Sequence, residues 1–277
     1  MAGFPLAARP STGKHCWMIE TADQDGVAIL TVHHGPVNAL DLELLTAIPE
    51  TLAAVADARA VVLTGSGRSF SAGVDLKRIV DGGPRYVEKF LPALSLAMLT
   101  LFEHPKPVVA AVNGHALAGG CVLAAACDVR LMSSGTIGLT ELAAGVPFPT
   151  VPLEIMRHAV GPALDAMVLQ ASRLAPGQAA SIGLVHELVE PDQLLDAALR
   201  RAEGLCAAAP EVYALAKRQL HRPACERIGV ARPLDDGQVL ELWSSERTSH
   251  TLRDYLASLR RGQSPNEGSS VVSRGGA

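Results

Sequence analysis

Two glycine-marked turns have the residue types and the spacing from which chemistry could follow. Residues 70–76 read FSAGVDL and residues 113–121 read NGHALAGGC, and each turn follows a run predicted to be a buried strand. Glycine lets the chain turn sharply and lets a ligand approach backbone N–H groups. Both turns are predicted to open helices, whose first N–H groups have no partner within the helix. Two such ends facing each other would hold an oxyanion, although the spacing alone fits tight strand-to-helix turns at least as well.

The elements that position these turns are predicted to alternate between strands and helices. Short apolar runs predict strands at residues 27–33, 60–64, 107–112 and 129–133. Helical spacing predicts helices at residues 41–56, 86–104 and 119–127. Strands that alternate with helices favour an α/β layered core.

The pattern changes from about residue 175 onward. One more strand is predicted within residues 183–190, followed by helices at 191–208, 210–221, 235–246 and 248–261. The last two helices carry large apolar residues at helical spacing, namely Leu240, Trp243, Leu252, Tyr255, Leu256 and Leu259. They indicate either an ordinary core face or a helical cap used in oligomer contacts.

Composition excludes several classes of protein. The chain has 277 residues, of which 48% are hydrophobic and 19% charged, so it can bury a large core and is not disordered as a whole. Its net charge is −4 and aromatic residues make up 4%, with no basic block. A nucleic-acid binder needs phosphate-neutralising cations and usually stacking aromatics, so no nucleic-acid partner is expected.

Cysteine usage and hydropathy bear on the compartment. The five cysteines are odd in number and scattered, and the N-terminal residues contain no long apolar run, so we expect free thiols in the cytoplasm. Residues 108–127 lack charged side chains and are long enough to cross a bilayer. They contain Asn113, His115 and three glycines, which favour a buried strand, a turn and a buried helix, and so no membrane span is expected.

Other chemical motifs are missing from the sequence. Residues 65–67 (GSG) lack both the third glycine of a dinucleotide fingerprint and the Gly-Lys-Ser/Thr of a phosphate loop. The tandem His33 and His34 are predicted to be a solvated pair at a strand end, and no metal site is expected. Glu154 and Asp165 are predicted to lie on helix surfaces.

Several segments together resemble the crotonase (enoyl-CoA hydratase/isomerase) superfamily, and the resemblance covers residues 17–261. The segments are 36–40 (PVNAL), 70–76, 106–128, 137–146 and 179–191. The resemblance implies a spiral of ββα units with a C-terminal helical region, a homotrimer or dimer of trimers, and an acyl-CoA thioester as ligand. The expected organisation is a loose tail at 1–15, a spiral core at 16–200, a helical oligomerisation region at 201–262 and a disordered tail at 263–277.

The resemblance also implies site residues. Glu141 would be the acid/base group, and the backbone N–H groups of Val74 and Gly119 would form the oxyanion hole. Coenzyme A would enter as part of the substrate, with no prosthetic group, and Ala72 and Lys77 would lie near its adenine and phosphates. The full set implied around the thioester ligand is Val37, Ala39, Ala72, Gly73, Asp75, Leu76, Lys77, Leu117 and Gly120.

The sequence departs from the family hydratases at one position. They use two glutamates, and the position of one of them is Val122 here. Valine can neither accept a hydrogen bond nor take a proton, which favours the Δ3,Δ2-enoyl-CoA isomerase branch, where one carboxylate suffices. The alternatives are a hydratase or other crotonase reaction on an unusual acyl-CoA, and an acyl-CoA binding protein without catalysis in which Glu141 merely begins a helix. The segment that contains Pro147 and Pro149 leaves the acyl-chain length of the substrate undetermined.

Overall fold

Successive strand–strand–helix turns build the chain in the computed structural model, which describes residues 18–260. The strands are β1 (Ile19–Gln24), β2 (Val27–Val32), β3 (Ala60–Gly65), β4 (Ser69–Ser71), β5 (Val108–Val112), β6 (His115–Leu117), β7 (Val129–Met132), β8 (Ile137–Gly138), β9 (Arg173–Leu174) and β10 (Glu187–Leu188). The helices are α1 (Leu42–Ala54), α2 (Leu76–Phe102), α3 (Gly119–Ala125), α4 (Glu141–Ala144), α5 (Thr150–Val160), α6 (Ala163–Leu169), α7 (Pro176–Ser181), α8 (Leu194–Leu205), α9 (Pro210–Ser244) and α10 (Glu246–Arg260).

Each of three turns contributes one strand to each of two sheets. The larger sheet has the order β1-β2-β3-β5-β7-β10, and only β1 is antiparallel to its neighbour. The smaller sheet has the order β4-β6-β8-β9, in which β4, β6 and β8 are parallel. The predicted spiral of ββα units with C-terminal helices is therefore confirmed.

The central strands of the larger sheet are buried on both faces, as their near-continuous apolar sequences predict. One face joins the main core under α1 and α2, through residues such as Val61 and Leu63. The opposite face packs its Val62 and Val109 on α8. The sequence prediction missed β1, the four strands of the smaller sheet and the helices α5 to α7. Of the strand predicted within 183–190, only β10 forms.

The C-terminal helices differ from prediction in one respect. Residues 210–221 and 235–246 do not form separate helices, because α9 is continuous through Pro223 and Pro233. Proline normally interrupts a helix, since it lacks an N–H group and crowds the preceding turn. Here α9 packs along α5 and α2 and buries Ala224 and Ile228, and this tertiary packing offsets the lost hydrogen bonds.

The predicted tails at 1–15 and 263–277 lie outside the described residues. The boundary between a core at 16–200 and a helical region at 201–262 stays a prediction. Among residues 18–260, no helix combines the length and the apolar character needed to cross a bilayer. The charge-free run at 108–127 forms β5, β6 and α3.

Candidate active site

The order of the smaller sheet places the three expected catalytic groups at one edge. Strands β4, β6 and β8 are parallel neighbours, so their carboxyl ends lie side by side. Val74 follows β4, Gly119 follows β6, and Glu141 follows β8. Groups separated by tens of residues along the chain therefore converge because each follows its own strand.

The two glycine turns contact each other directly. A Cβ atom added to Gly73 would lie 2.5 Å from the carbonyl oxygen of Leu117 and 3.2 Å from the backbone nitrogen of Gly119. Gly73 also has a φ of +87°, a conformation that L side chains rarely adopt. A Cβ on Gly120 would lie 2.1 Å from the carbonyl oxygen of Ser71. These glycines are required because any side chain would separate the two turns.

Hydrogen bonding leaves two N–H groups available between the turns. Leu40 donates its N–H to the carbonyl of Gly73 (2.8 Å), and Asp75 donates its N–H to the carbonyl of Leu40 (2.9 Å). Ala118, which has a φ of +49°, donates to the carbonyl of Gly138 (2.8 Å). Among residues 18–260, neither the N–H of Val74 nor that of Gly119 donates to a protein acceptor. This arrangement can hold a negatively charged oxygen.

The first loop is held by Asn38. Its side-chain amide donates to the backbone carbonyls of Ser66 (3.2 Å) and Ser69 (2.9 Å). The backbone carbonyl of Asn38 accepts from the hydroxyl of Ser71 (2.7 Å). Asn38 has a φ of +52°, a conformation that asparagine tolerates better than most residues. The loop that contains Val37 is thereby fixed against the first glycine turn.

Glu141 is a buried carboxyl group that has no ionic partner in the part of the chain that the structure describes. Its Oε2 atom is buried and accepts no hydrogen bond from the described residues. Burial raises the pKa of Glu141 to about 8, although nearby backbone N–H groups at Glu141 and Thr140 oppose the shift. A carboxyl group that titrates near neutral pH can both take and return a proton.

Val122 occupies the interior of α3, where a hydratase of the family would have a second glutamate. It is completely buried in the main core. It does not line the cavity that contains Glu141. Among the residues that line this cavity, the carboxylates other than Glu141 are Asp41 and Asp75. Both belong to helix caps, because Asp41 accepts the N–H of Leu44 and Asp75 that of Arg78.

A cavity of about 590 Å³ joins these groups. This volume is typical of a small-molecule site. The cavity is lined by most of the residues that the resemblance implies, namely Val37, Ala39, Ala72, Val74, Asp75, Leu76, Lys77, Leu117 and Glu141. Gly73, Gly119 and Gly120 do not line it and lie buried behind it. Their positions fit a role through the backbone.

The C-terminal helices also line this cavity, which the sequence did not indicate. Trp243 of α9 and Tyr255, Leu256 and Leu259 of α10 face the same space as Glu141. The indole N–H of Trp243 donates to the carbonyl of Pro147 (2.9 Å), which fixes the ring. Helical spacing identified these apolar residues. Only the tertiary structure shows that they cover the site of their own chain.

The prediction of a solvated histidine pair is wrong for His34. Its Nε2 atom lies 2.7 Å from Oδ2 of Asp41, and the ring is half-buried and lines the cavity. Arg78 also contacts Asp41 (3.4 Å) and Glu43 (2.7 Å). The pairing was not predictable from the tandem histidines because it depends on how the first loop folds back onto the start of α1.

The prediction that Glu154 lies on a helix surface is also wrong. The residue is buried, and its carboxylate accepts from Nε of Arg157 (3.0 Å) and from Nε of Arg227 (2.5 Å). The Arg227 pair connects α5 to α9, whereas the Arg157 pair lies within α5. Nothing in the sequence near Glu154 indicates Arg227, which lies on another helix.

The described part of the chain offers no cluster suited to a metal ion, and its two buried thiols are not activated. Residues 18–260 contain no group of three or more His, Cys, Asp or Glu side chains placed to hold a metal ion. Cys121 and Cys127 are free and buried, and burial raises the pKa of both thiols. Raised pKa values disfavour the reactive thiolate.

Comparisons with known proteins find a matching sequence profile, similar sequences and a similar fold. The sequence profile described as enoyl-CoA hydratase/isomerase matches residues 22–258. The chain is 27% identical to human mitochondrial enoyl-CoA delta isomerase 1, over 88% of this chain and 83% of that protein. It is 31% identical to short-chain-enoyl-CoA hydratase of Clostridium acetobutylicum, over 83% and 91% respectively. The crystal structure of human mitochondrial delta3-delta2-enoyl-CoA isomerase superposes with a TM-score of 0.83 and 25% identity, covering 89% of this chain and all of that one.

Proposed function

The chain belongs to the enoyl-CoA hydratase/isomerase family, and we propose that it moves the double bond of a 3-enoyl-CoA thioester to the 2-position. The observation that carries this proposal is the buried carboxyl group of Glu141, whose Oε2 atom has no hydrogen-bond partner among residues 18–260. It lies in the same cavity as the oxyanion turns, and Val122 stands where a second glutamate would be needed for hydration.

The proposed reaction needs one base and one oxyanion site. The carboxylate of Glu141 removes a proton from C2 of the thioester, and the electron pair moves onto the thioester oxygen. The N–H groups of Val74 and Gly119 donate to that oxygen. One such donor typically stabilises the transition state by about 3 kcal/mol. The carboxylic acid of Glu141 then returns the proton at C4, which leaves the double bond between C2 and C3.

The surroundings of Glu141 suit this proton shuttle. Burial raises its pKa to about 8, so the acid formed in the first step does not lose its proton quickly to the medium. The nearby Ala144 and Val146 are apolar and help to exclude water that could add to the double bond.

Hydration is the second candidate, and a specific observation favours it. The hydratase of Clostridium acetobutylicum is slightly more similar in sequence than the human isomerase. Against it, adding water across a double bond requires the water to be held and deprotonated and a proton to be delivered to carbon. A missing acid/base group typically costs about 10² to 10⁴ in rate.

A direct test compares two thioesters on the purified protein. We expect trans-3-hexenoyl-CoA to be converted to the conjugated 2-enoyl product and crotonyl-CoA to be hydrated far more slowly. Glu141→Gln should abolish the first reaction, whereas Glu88→Gln, at an exposed position on α2, should not change it.

Other outcomes of this test would redirect the assignment. Hydration of crotonyl-CoA at a comparable rate would overturn the one-carboxylate argument. Binding of both thioesters without any turnover would leave an unusual acyl substrate or a non-catalytic acyl-CoA binding protein.

We further propose that the coenzyme A portion lies along Ala72 and Lys77, beside the first glycine turn.

A homotrimer or a dimer of trimers is proposed for the assembly. Large apolar side chains exposed on α9, such as Leu220 (68% exposed) and Val230 (70%), support burial against another copy. The four described cysteines are free, which supports a reducing compartment such as the cytoplasm.

A further inference from the structure

Arg173 is exposed and lines the cavity, and it differs from the other lining cations because it has no ionic partner among residues 18–260. Lys77 pairs with Asp81, and His34 and Arg78 both pair with Asp41. Within residues 18–260, Arg173 forms neither an ion pair nor a side-chain hydrogen bond with any group. An unpaired guanidinium in a ligand cavity is available to bind an anion.

The backbone of Arg173 is held rigidly relative to Glu141. Arg173 is the antiparallel partner of Gly138, which precedes Glu141 by three residues. The flanking Leu139 donates its N–H to the carbonyl of Ser172 (3.0 Å). The strands approach so closely that a Cβ on Gly138 would lie 2.0 Å from the same carbonyl oxygen. A side chain on such a fixed strand can set ligand position better than one on a mobile loop.

The position of β9 in the sheet separates Arg173 from the coenzyme A end. Lys77 follows β4 at one edge of the smaller sheet, and Arg173 lies on β9 at the opposite edge. Three strand spacings of about 4.8 Å lie between the two strands, or roughly 14 Å. The oxyanion turns lie on the β4 and β6 side. Arg173 is therefore placed beyond the thioester, toward the far end of the acyl group.

The remaining side chains that residues after Glu141 contribute to the lining carry no positive charge. Apart from Arg173, they are Ala144, Val146, Trp243, Tyr255, Leu256 and Leu259. Glu141 does not serve as the partner of Arg173 either, because its environment is one of burial without a nearby cation. A planar guanidinium binds a carboxylate through two parallel hydrogen bonds, which gives both affinity and orientation.

We propose that Arg173 binds a second carboxylate at the far end of the acyl group, so that the preferred substrates are CoA thioesters of dicarboxylic enoic acids. This inference rests on the proposed isomerase function for its kinetic test but not for its binding test. The guanidinium forms no bond to the reacting carbons, so Arg173 acts as a specificity-determining residue.

The kinetic test compares trans-3-hexenoyl-CoA with trans-3-hexenedioyl-CoA, which differs by a terminal carboxylate. We expect the wild-type protein to have a higher kcat/KM for the dicarboxylic thioester. Arg173→Gln should lower the ratio of the two kcat/KM values by at least about tenfold, and Arg173→Lys by less. Arg85→Gln removes an exposed arginine on α2, outside the cavity, and should leave the ratio within about twofold. An unchanged ratio in Arg173→Gln, with or without an equal loss on both thioesters, would overturn the inference.

The binding test separates failure of this inference from failure of the proposed reaction. Adipoyl-CoA and hexanoyl-CoA are titrated calorimetrically into Glu141→Gln, with and without Arg173→Gln. If adipoyl-CoA binds more tightly and Arg173→Gln removes the difference, the inference stands even when no isomerisation occurs. If the two thioesters bind equally while isomerisation is present, the inference fails and the proposed function survives.

Discussion

Gly73 and Gly119 hold the two oxyanion turns in contact: a Cβ atom on Gly73 would lie 3.2 Å from the backbone nitrogen of Gly119. The contact is possible only because Gly73 has no side chain and adopts a φ of +87°. The N–H groups of Val74 and Gly119, which donate to no acceptor among residues 18–260, flank this contact. The geometry of the proposed oxyanion site therefore depends on residues that themselves bring no functional side chain.

Replacing Gly73 by alanine should damage this geometry. The new methyl group would press on the carbonyl of Leu117 and on Ala118, so the turns would move apart. We expect kcat for isomerisation to fall about 10²-fold or more, as when an oxyanion donor is lost. Gly67→Ala is the matched control, since Gly67 also has a positive φ (+68°) but no atom within 4 Å of its Cβ position. Equal activity losses in the two variants would mean that backbone strain, and not the contact between the turns, causes the effect.

The raised pKa of Glu141 predicts the pH dependence of catalysis. The group must be ionised to take a proton, and its pKa lies at about 8 in the free protein. The value of kcat/KM for 3-hexenoyl-CoA should therefore rise about tenfold per pH unit below pH 8 and level off above it. A profile that stays flat from about pH 6 to pH 9 would contradict the role of Glu141 as the base.

The same pKa predicts how stability depends on pH. In the unfolded chain, the carboxyl group of Glu141 has its ordinary pKa of 4.5. In the folded protein its pKa is about 8, so it retains its proton up to about pH 8. The folded state binds more protons in this window, so its stability falls as pH rises from about 4.5 to 8. A shift of this size corresponds to about 5 kcal/mol. Glu141→Gln should remove this fall in stability, and urea unfolding at several pH values measures it. If the slope of unfolding free energy against pH is the same in the variant, Glu141 is not the group with the raised pKa.

Adding a carboxylate at Val122 should raise hydration. Val122→Glu places a second acid/base group in α3, and we expect crotonyl-CoA hydration to increase about tenfold or more over wild type. Val122→Gln is nearly isosteric with this variant and cannot transfer a proton, so it should show no gain. Because position 122 is completely buried, both variants should unfold at lower denaturant concentration. Equal hydration by the two variants would show that the missing carboxylate is not what limits the reaction.

The ion pairs of Glu154 should stabilise the contact between α5 and α9. Arg227→Met removes one partner and leaves Arg157, so we expect a loss of about 1 kcal/mol in the free energy of unfolding. Removing both arginines leaves a buried carboxylate without a counter-ion, and the loss should reach about 3 kcal/mol. Denaturant unfolding of the two single variants and the double variant measures this coupling. Losses that simply add would mean that the two arginines act independently of each other and would contradict coupling through their shared carboxylate.

Much of the fold follows from local patterns in the sequence. Short apolar runs predict β2, β3, β5 and β7 almost to their ends, because a strand buried on both faces needs a mostly apolar run. Glycine spacing likewise indicates both turns of the oxyanion site, since a sharp turn restricts which residue can occupy it. The acid/base role of Glu141 was predicted from the resemblance to a family, because local sequence patterns do not distinguish it from any other acidic residue that begins a helix.

The sequence by itself therefore determined the alternating elements, the two glycine turns and the loss of a carboxylate at Val122. Only the tertiary structure decided that α9 runs unbroken through two prolines, that Glu154 is buried between arginines, and that α9 and α10 cover the cavity of their own chain. It also decided that Arg173 has no ionic partner within the described range 18–260. The physical reason is range: turn chemistry and hydrophobic periodicity act over a few neighbouring residues. Burial and ion pairing join residues as distant as Glu154 and Arg227, 73 positions apart, and depend on how complete elements pack.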